Sequence, residues 1–197
     1  MKIAILGAGV IGVTTAIELN RDGHNVIVID RQPDVGLETS FANAGLIAPG
    51  HSYAWETKGM PKKILKSLFS NNEVFRFRPK FDFHLYRWGF QFLKEYNHTR
   101  FIENTKIKLQ LCRYSQEKLH ELIQEFDLEF NQVQNGLMYI FRTKQAFEEG
   151  RRNAELLLKN ELDLEFLSKN KVLEIEPSLN LVKDKIYGAI YAPKDEA

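Results

Sequence analysis

The 197-residue chain lacks the residues that usually mark secreted, membrane-spanning or nucleic-acid-binding proteins. Its single cysteine, Cys112, excludes an internal disulfide framework and favours a reducing compartment. No apolar run reaches the roughly 18 residues that a spanning helix needs. The 27 basic residues nearly balance the 26 acidic ones, so charge gives no general reason to expect nucleic acid as a partner. The composition is that of an ordinary globular chain of one or two domains.

Several catalytic constellations are also missing. The sequence shows no metal-ligand cluster, no Ser-His-Asp arrangement and no carboxylate pair with an arguable acid–base geometry. Internal repeats and low-complexity segments are likewise absent. Catalytic residues are therefore left unassigned, and no metal is expected.

What the chain does have is a glycine motif in its first 30 residues. An apolar run ends in Gly7-Ala-Gly9-Val-Ile-Gly12, a helical stretch follows to Asn20, and Asp22-Gly23 is a helix stop. The β-branched run 25–30 then predicts a buried parallel strand that ends in an acid, Asp30. This order of strand, turn, helix and strand is the context that a dinucleotide motif requires. A secretory signal peptide is disfavoured because the glycines interrupt the apolar stretch and no cleavage pattern follows.

Each residue of this motif has a physical role in such a site. Gly7 makes the tight turn, Gly9 lets the backbone approach a pyrophosphate, and Gly12 lets the helix pack on the sheet. The helix start presents backbone N–H groups and a positive dipole end to the phosphates. Asp30 would accept hydrogen bonds from an adenosine ribose and would repel a 2′-phosphate, which disfavours NADP despite Arg31. These residues alone leave FAD and NAD open.

The segment after the second strand distinguishes between these cofactors through a resemblance. Glu38-Thr-Ser-Phe-Ala-Asn-Ala-Gly45, together with the glycine motif and Ile29-Asp-Arg31, resembles the D-amino acid oxidase-type FAD-dependent oxidoreductases. Within them the chain is most similar to the bacterial D-amino acid dehydrogenases of the small-subunit type. The similarity continues in register through Trp88, Phe141-Arg-Thr143 and the run from Gly188 to Pro193.

The resemblance implies FAD as the cofactor. It places the strand–turn–helix segment around the pyrophosphate, Asp30 and Arg31 near the adenosine, and part of the following loop near the flavin. The implied cofactor-binding residues are Ile3, Ala4, Ile5, Leu6, Gly7, Ala8, Gly9, Val10, Ile11, Gly12, Val13, Thr14, Thr15, Ala16, Ile17, Asp30, Arg31, Thr39, Ser40, Asn43, Ala44 and Gly45. The implied reaction is oxidation of a D-amino acid to a 2-oxo acid and ammonia, with electrons passing to a respiratory acceptor.

The rest of the chain is predicted to be an α+β substrate or cap region. Helices are expected at 99–126, after Thr143 and at 169–175, and strands at 136–142, 165–168 and 185–192. The aromatic residues between Phe81 and Tyr96 are interpreted as a core, with peripheral membrane contact as the alternative. His120 lies off the apolar stripe of Leu119, Leu122, Ile123 and Phe126 and is expected to be solvated, whereas Cys112 is expected to pack as a small hydrophobe.

The predicted fold class is α/β: a Rossmann-like FAD-binding βαβ unit plus the start of an α+β domain, with residues 1–60 and 61–197 as the two domains. The sheet is expected to be incomplete because only two strands of the nucleotide-binding half are evident and the resemblance covers half of the family's length. Open alternatives are a second chain that supplies the rest, a non-catalytic remnant or interaction fragment, and an NAD-dependent dehydrogenase. The expected location is the cytoplasm, with the inner face of the cytoplasmic membrane as an alternative.

Overall fold

The computed structural model describes residues 1–54 and 81–197. The chain divides into two compact units, residues 1–45 (unit 1) and 46–197 (unit 2). The domain boundary predicted at residue 60 lies outside the described residues, as does the basic segment 61–69, so that division stays a prediction. The mixture of helices and small sheets agrees with the predicted fold class.

Unit 1 is a βαβ unit. Strand β1 (Lys2–Leu6) is followed by helix α1 (Val10–Arg21) and strand β2 (Asn25–Ile29), and the strands pair in parallel with Lys2 opposite Asn25. The helix ends where it was predicted to end: the Asp22 N–H bonds to the Glu18 carbonyl, and Gly23 follows with a φ of +79°. Left-handed backbone at this position is the usual termination of a helix by glycine.

The prediction that β2 is a buried strand is wrong for this chain. Ile27, Val28 and Ile29 are exposed, and so is Leu6 at the end of β1. Unit 1 is described in full, and its sheet has two strands with one helix packed on it. A sheet this small cannot cover both faces of an apolar strand. The two-stranded sheet of unit 1 is thus the incomplete sheet expected from the sequence.

After residue 80, the first elements of unit 2 are two capped helices. The Asp82 carboxylate accepts hydrogen bonds from the N–H groups of His84 and Leu85 at the start of α2 (Phe83–Glu95). The Asn97 side chain accepts from the Arg100 N–H at the start of α3 (His98–Glu125). Such caps satisfy N–H groups that have no intrahelical partner. A 3₁₀ turn at Pro49–His51 precedes both helices.

The sheet of unit 2 is antiparallel and three-stranded. Strand β3 (Leu137–Phe141) and strand β4 (Glu165–Ser168) flank strand β5 (Gly188–Ala192). Between them lie helices α4 (Lys144–Leu158) and α5 (Lys169–Ile175), followed by a 3₁₀ segment at Pro177–Lys185. The three strands and the helices α4 and α5 were predicted from sequence, whereas the 3₁₀ segment was not. Thr143 caps α4 as expected by accepting from the Ala146 N–H.

Strand β5 organises the core because both of its faces are buried. Ile190 and Ala192 point to one cluster, which also contains Leu109 of α3 and Leu157 of α4. Ala189 points the other way, to Val172 of α5 and to Leu167 and Ile186. The alternation follows from the two-residue period of a strand. The unit is thus a sheet with helices on both faces.

One sequence-based expectation for the helices holds only in part, and another is wrong. In α3 the stripe residues Leu119, Leu122 and Ile123 are partly buried and Phe126 is exposed. The fully buried residues of α3 lie nearer its start, at i, i+4 and i+8: Phe101, Thr105 and Leu109. The aromatic residues in and just before α2 do not form a core, since five of them are exposed: Phe81 before the helix, and Phe83, Tyr86, Trp88 and Phe90 within it. None of the helices in residues 1–54 and 81–197 combines the length and apolarity needed to cross a bilayer.

We expect Gly12→Ala to destabilise the protein by at least about 2 kcal/mol because a new Cβ would overlap other atoms. That Cβ would lie 1.9 Å from the Gly7 carbonyl oxygen, at the point where α1 meets the turn. Gly89→Ala in α2 is the matched control, since its Cβ meets nothing within 4 Å. The control should gain about 0.5–1 kcal/mol from helix propensity. Urea unfolding followed by circular dichroism measures both, and equal effects would contradict the close approach.

Candidate functional site

The turn between β1 and α1 is held by the carboxylate that ends β2. Asp30 Oδ2 accepts the Ala8 N–H at 2.6 Å, and Oδ1 accepts the Gln32 N–H at 2.7 Å. The bond from Ala8, reinforced by that from Gln32, holds the pKa of Asp30 below its ordinary value. The Gly7 N–H also bonds to the Ile29 carbonyl at 2.7 Å. A substitution of Asp30 therefore alters the turn as well as any ribose contact.

Gly7 is the position in this turn that requires glycine for its backbone. Its φ of +105° is a conformation that residues with a side chain rarely adopt, and the space beside it is open to 4 Å. The backbone therefore fits the predicted roles of Gly7 in the tight turn and of Gly12 in close packing, whereas the role of Gly9 at a pyrophosphate stays a prediction.

The N-terminus of α1 faces the loop that carries the family resemblance. Helix α1 begins after Gly9 with no cap from its own first residues, and its first turn carries no acidic side chain. The Ser40 hydroxyl oxygen accepts the Val10 N–H at 3.0 Å, so this loop residue caps the helix. The first-turn N–H groups of Ile11 and Gly12 have no acceptor within the helix, as helix geometry dictates. This end of the helix is therefore chemically suited to an anion.

The charged residues that follow β2 form a small network. The Arg31 guanidinium contacts the Glu38 carboxylate, with Nη2 and Nε each 2.5 Å from Oε1, and Gln32 Nε2 donates to the same oxygen at 3.0 Å. The hydrogen bond to Glu38 raises the pKa of Arg31, and the one from Arg31 lowers the pKa of Glu38. Glu38 was missed as a partner in the sequence because contacts between loop residues leave no periodic pattern. The Glu38 carboxylate thus pairs with the positive charge of Arg31, the residue that follows Asp30.

The remainder of the loop is shaped by Asn43. Its amide nitrogen donates to the Thr39 and Ser40 carbonyls at 3.4 Å each, and its Oδ1 accepts the Gly45 N–H at 2.7 Å. Gly45 has a φ of +65°, another left-handed conformation. Thr39, Asn43, Ala44 and Gly45 thus lie in one turn of unit 1, and their assignment to the flavin stays a prediction.

The structure brings only some of the predicted site residues into contact with one another. Ala8 meets Asp30, Val10 meets Ser40, and the Gly36 N–H bonds to the Ala8 carbonyl at 2.9 Å. The residues from Ile3 to Leu6 lie in β1 and those from Val13 to Ile17 in the body of α1, where they support the turn.

Two buried carboxylates near the end of the chain form a separate polar centre in unit 2. The side chain of Asp195, 1% exposed, accepts the Gly50 N–H and the Tyr139 hydroxyl, each at 2.8 Å. Burial raises the pKa of Asp195 despite these donors. Burial also raises the pKa of Tyr53 to about 12 and, together with the Asp195 charge, that of Tyr139. The His51 ring stacks on Tyr139 with 5.1 Å between centroids.

Glu196 is 4% exposed, and its carboxylate accepts hydrogen bonds from side chains of several parts of unit 2. It accepts from His120 Nε2 at 2.8 Å, from Gln132 at 2.7 Å, from Gln134 at 3.3 Å and from Gln116. Burial disfavours its charged form, but the hydrogen bonds from His120, Gln116 and Gln132 outweigh that effect and lower its pKa. His120 therefore has a defined partner, and the expectation of a solvated side chain is wrong. Cys112 is partly buried and burial raises its pKa, as expected for a packed thiol.

The fold and the glycine turn give unit 1 the βαβ form that is typical of dinucleotide-binding units. The sequence model of the family described as "DAO: FAD dependent oxidoreductase" matches residues 2–197. The chain belongs to this family, and the family resemblance and the FAD assignment drawn from the sequence are confirmed at that level.

Curated relatives are named D-amino acid dehydrogenase. The protein of that name from Rhizobium johnstonii is 37% identical over 196 residues, and that from Agrobacterium fabrum is 38% identical over 196 residues. In both cases the match covers 100% of this chain and 47% of the relative. The chain therefore spans about half the length of the curated relatives it matches.

Solved structures show the same fold at lower identity. Glycine oxidase from Bacillus cereus matches with a TM-score of 0.56 and 22% identity, covering 99% of this chain and 39% of that protein. Glycine oxidase from Geobacillus kaustophilus matches with a TM-score of 0.58 and 21% identity, covering 98% and 39%. These likenesses support the fold class.

We expect Glu196→Gln to destabilise the protein by about 1–3 kcal/mol at neutral pH, because it replaces hydrogen bonds to a charged group by weaker ones. The pKa of Glu196 is lowered from the ordinary value of 4.5, so its stabilising effect is present above that pH and is lost as the pH falls through the folded-state pKa. The difference from wild type should therefore shrink below about pH 4.5. Thermal unfolding between neutral and acid pH measures it.

Glu149→Gln, on the exposed side of α4, is the control for loss of a surface carboxylate. A pH-independent difference between wild type and Glu196→Gln would contradict the assignment.

Proposed function

We propose that unit 1 binds FAD, with the glycine turn and the α1 N-terminus around the pyrophosphate and Asp30 with Arg31 at the adenosine. The observation that carries this proposal is the preset turn: Asp30 fixes Ala8, and the start of α1 carries no acid. The same residues were assigned by resemblance, and their arrangement fits an anionic, dinucleotide-like ligand. Thr39, Asn43, Ala44 and Gly45 complete the proposal on the flavin side.

Ser40 is the residue whose contact fits a phosphate most directly. Its hydroxyl bonds to the Val10 N–H and would lie 3.2 Å from a Cβ on Gly9, so it is beside the backbone that the pyrophosphate approaches. A hydroxyl at this position can also donate to a phosphate oxygen while the helix N–H groups bind the others. Unit 1 therefore positions the cofactor by backbone donors and one hydroxyl.

The proposed reaction is oxidative deamination of D-amino acids to 2-oxo acids and ammonia. It rests on family membership and on the name carried by the relatives at 37–38% identity. Bound FAD would supply the acceptor for the hydride from the substrate α-carbon. The residues of this chain would bind and orient the cofactor, and no side chain is assigned an acid–base role.

The proposal also covers the substrate, the electron acceptor, the location and the partners of the protein. The substrate is a small D-amino acid, the final electron acceptor is a respiratory one, and the protein works in the cytoplasm in peripheral contact with the membrane. A second polypeptide segment that completes the two-stranded sheet is proposed because the apolar residues of β2 are exposed. Nucleic acid is not proposed as a partner.

The cofactor proposal predicts that Gly9→Val weakens FAD binding at least about tenfold, because the side chain fills the space that the pyrophosphate must approach. FAD fluorescence quenching and retention of yellow colour after gel filtration measure the affinity. Gly89→Val is the matched control, since its Cβ enters open space in α2.

Ser40→Asp is a second variant that tests the same FAD site in case Gly9→Val fails to fold. The carboxylate can cap α1 as well as serine does, so stability without cofactor should be maintained, while its charge repels the pyrophosphate and weakens FAD binding. Unchanged FAD affinity in both variants, with folding verified by circular dichroism, would refute the assigned site.

The reaction is tested separately from the binding. Reduction of bound FAD is followed by the loss of its visible absorbance after addition of D-alanine, with L-alanine as the control. Flavin that is bound and not reduced by D-amino acids would contradict the activity of this chain and leave the cofactor site standing.

A further inference from the structure

Helix α2 carries an exposed apolar face. Four residues spaced at i, i+3, i+7 and i+10 form an apolar row, called here the α2 stripe: Phe83, Tyr86, Phe90 and Leu93. Their exposed fractions are 78%, 51%, 64% and 50%. Phe81, just before the helix, is exposed as well. This spacing places the stripe along a single side of the helix.

The stripe does not include the partly buried residues of α2. Leu85, Gly89 and Phe92, which lie on another side of the helix, are partly buried. The helix start is fixed by Asp82, whose carboxylate accepts two backbone N–H groups. The stripe is therefore a defined surface of an ordered helix. A continuous row of this kind differs from the scattered apolar residues that are normal on protein surfaces.

Basic side chains flank the stripe. At 100° per residue, Arg87 and Lys94 lie within about 40° of Phe83 around the helix axis. Lys94 Nζ is 5.0 Å from the centroid of the Phe90 ring, so its stem runs along the apolar surface. Glu95, the acidic residue within α2, is partly buried and pairs with Arg100 at 3.5 Å. The face that carries the stripe thus combines aromatic rings with positive charge.

Charge distinguishes between two occupants of such a surface, a second copy of the helix and an anionic lipid surface. A second copy of the helix packed on the stripe would bring its own Arg87 and Lys94 next to the first pair, with no carboxylate of α2 on that face to compensate. An anionic lipid surface offers phosphates to the basic residues and a headgroup–acyl boundary to the aromatic rings. Helix α2 has 13 residues and a length of about 20 Å, which suits a helix lying in the interface.

We propose that α2 is an interfacial helix that binds an anionic bilayer surface, with the α2 stripe in the headgroup–acyl boundary and Arg87 and Lys94 at the lipid phosphates. The inference deepens the peripheral membrane contact of the proposed function by naming its surface. It does not depend on FAD binding. The helix lies on the bilayer and does not cross it.

The test is flotation of the 197-residue chain with phosphatidylcholine vesicles and with vesicles of equimolar phosphatidylcholine and phosphatidylglycerol. Wild type should float with the anionic vesicles, and Phe83→Ser/Phe90→Ser should reduce the bound fraction at least about tenfold, since both rings leave the boundary. The matched control is Tyr114→Ser/Phe130→Ser, which removes two aromatic side chains elsewhere in unit 2 that are 56% and 55% exposed.

A charge-reversal pair isolates the electrostatic part. Arg87→Glu/Lys94→Glu should abolish the preference for anionic over neutral vesicles, while Lys144→Glu/Lys183→Glu, at exposed positions elsewhere, should retain it. Added salt should weaken the binding of wild type to the anionic vesicles because it screens the basic residues.

Three outcomes would overturn the proposal. One is no binding to either vesicle, and another is an equal loss in the stripe variant and its control. The third is a concentration-dependent dimer in sedimentation that the stripe variant abolishes, which would assign the surface to a second copy. FAD affinity is measured on the same samples. Vesicle binding without FAD binding would refute only the flavin site, and the reverse would refute only the lipid surface.

Discussion

The hydrogen bond from the Ala8 N–H to the Asp30 carboxylate is the interaction on which unit 1 depends. It joins the end of β2 to the middle of the glycine turn, while the second carboxylate oxygen holds the Gln32 N–H. Both bonds involve an ionised acceptor, which makes them stronger than neutral ones. The turn that leads into α1 is therefore held from the neighbouring strand, which orients the N–H groups at the start of the helix. A preset donor array loses little freedom when it binds an anion.

Unit 2 depends on a different constraint, the burial of β5 on both faces. Because Ile190 and Ala189 point to opposite clusters, helices must pack on both sides of the sheet. The buried carboxylates that follow β5 then need donors, and they take them from several elements: Gly50, Tyr139, His120 and glutamine side chains. Buried charges are tolerated only with such partners. The last residues of the chain thereby tie together parts of unit 2 that are distant in sequence.

Two of the exposed apolar surfaces in the described residues differ in character. Ile27, Val28 and Ile29 are strand residues of a two-stranded sheet, and a strand edge with apolar faces favours further strands or helices of polypeptide. The α2 stripe lies on a helix with basic flanks and favours a lipid surface. The chain spans 47% of the relatives named D-amino acid dehydrogenase, so cofactor binding, turnover and lipid contact are separate proposals.

The sequence by itself determined the local elements and the family. Helix and strand periods, the caps at Thr143 and Gly23, and the glycine motif are encoded over a few residues, which is why β1, α1, β2 and the elements from β3 to β5 were all predictable. Only the tertiary structure decided the contacts between distant residues: Ser40 with Val10, Glu38 with Arg31, and His120 with Glu196. It also decided exposure, because burial depends on what packs against a face. For that reason the aromatic residues of α2, expected in a core, form a surface, and β2 remains uncovered.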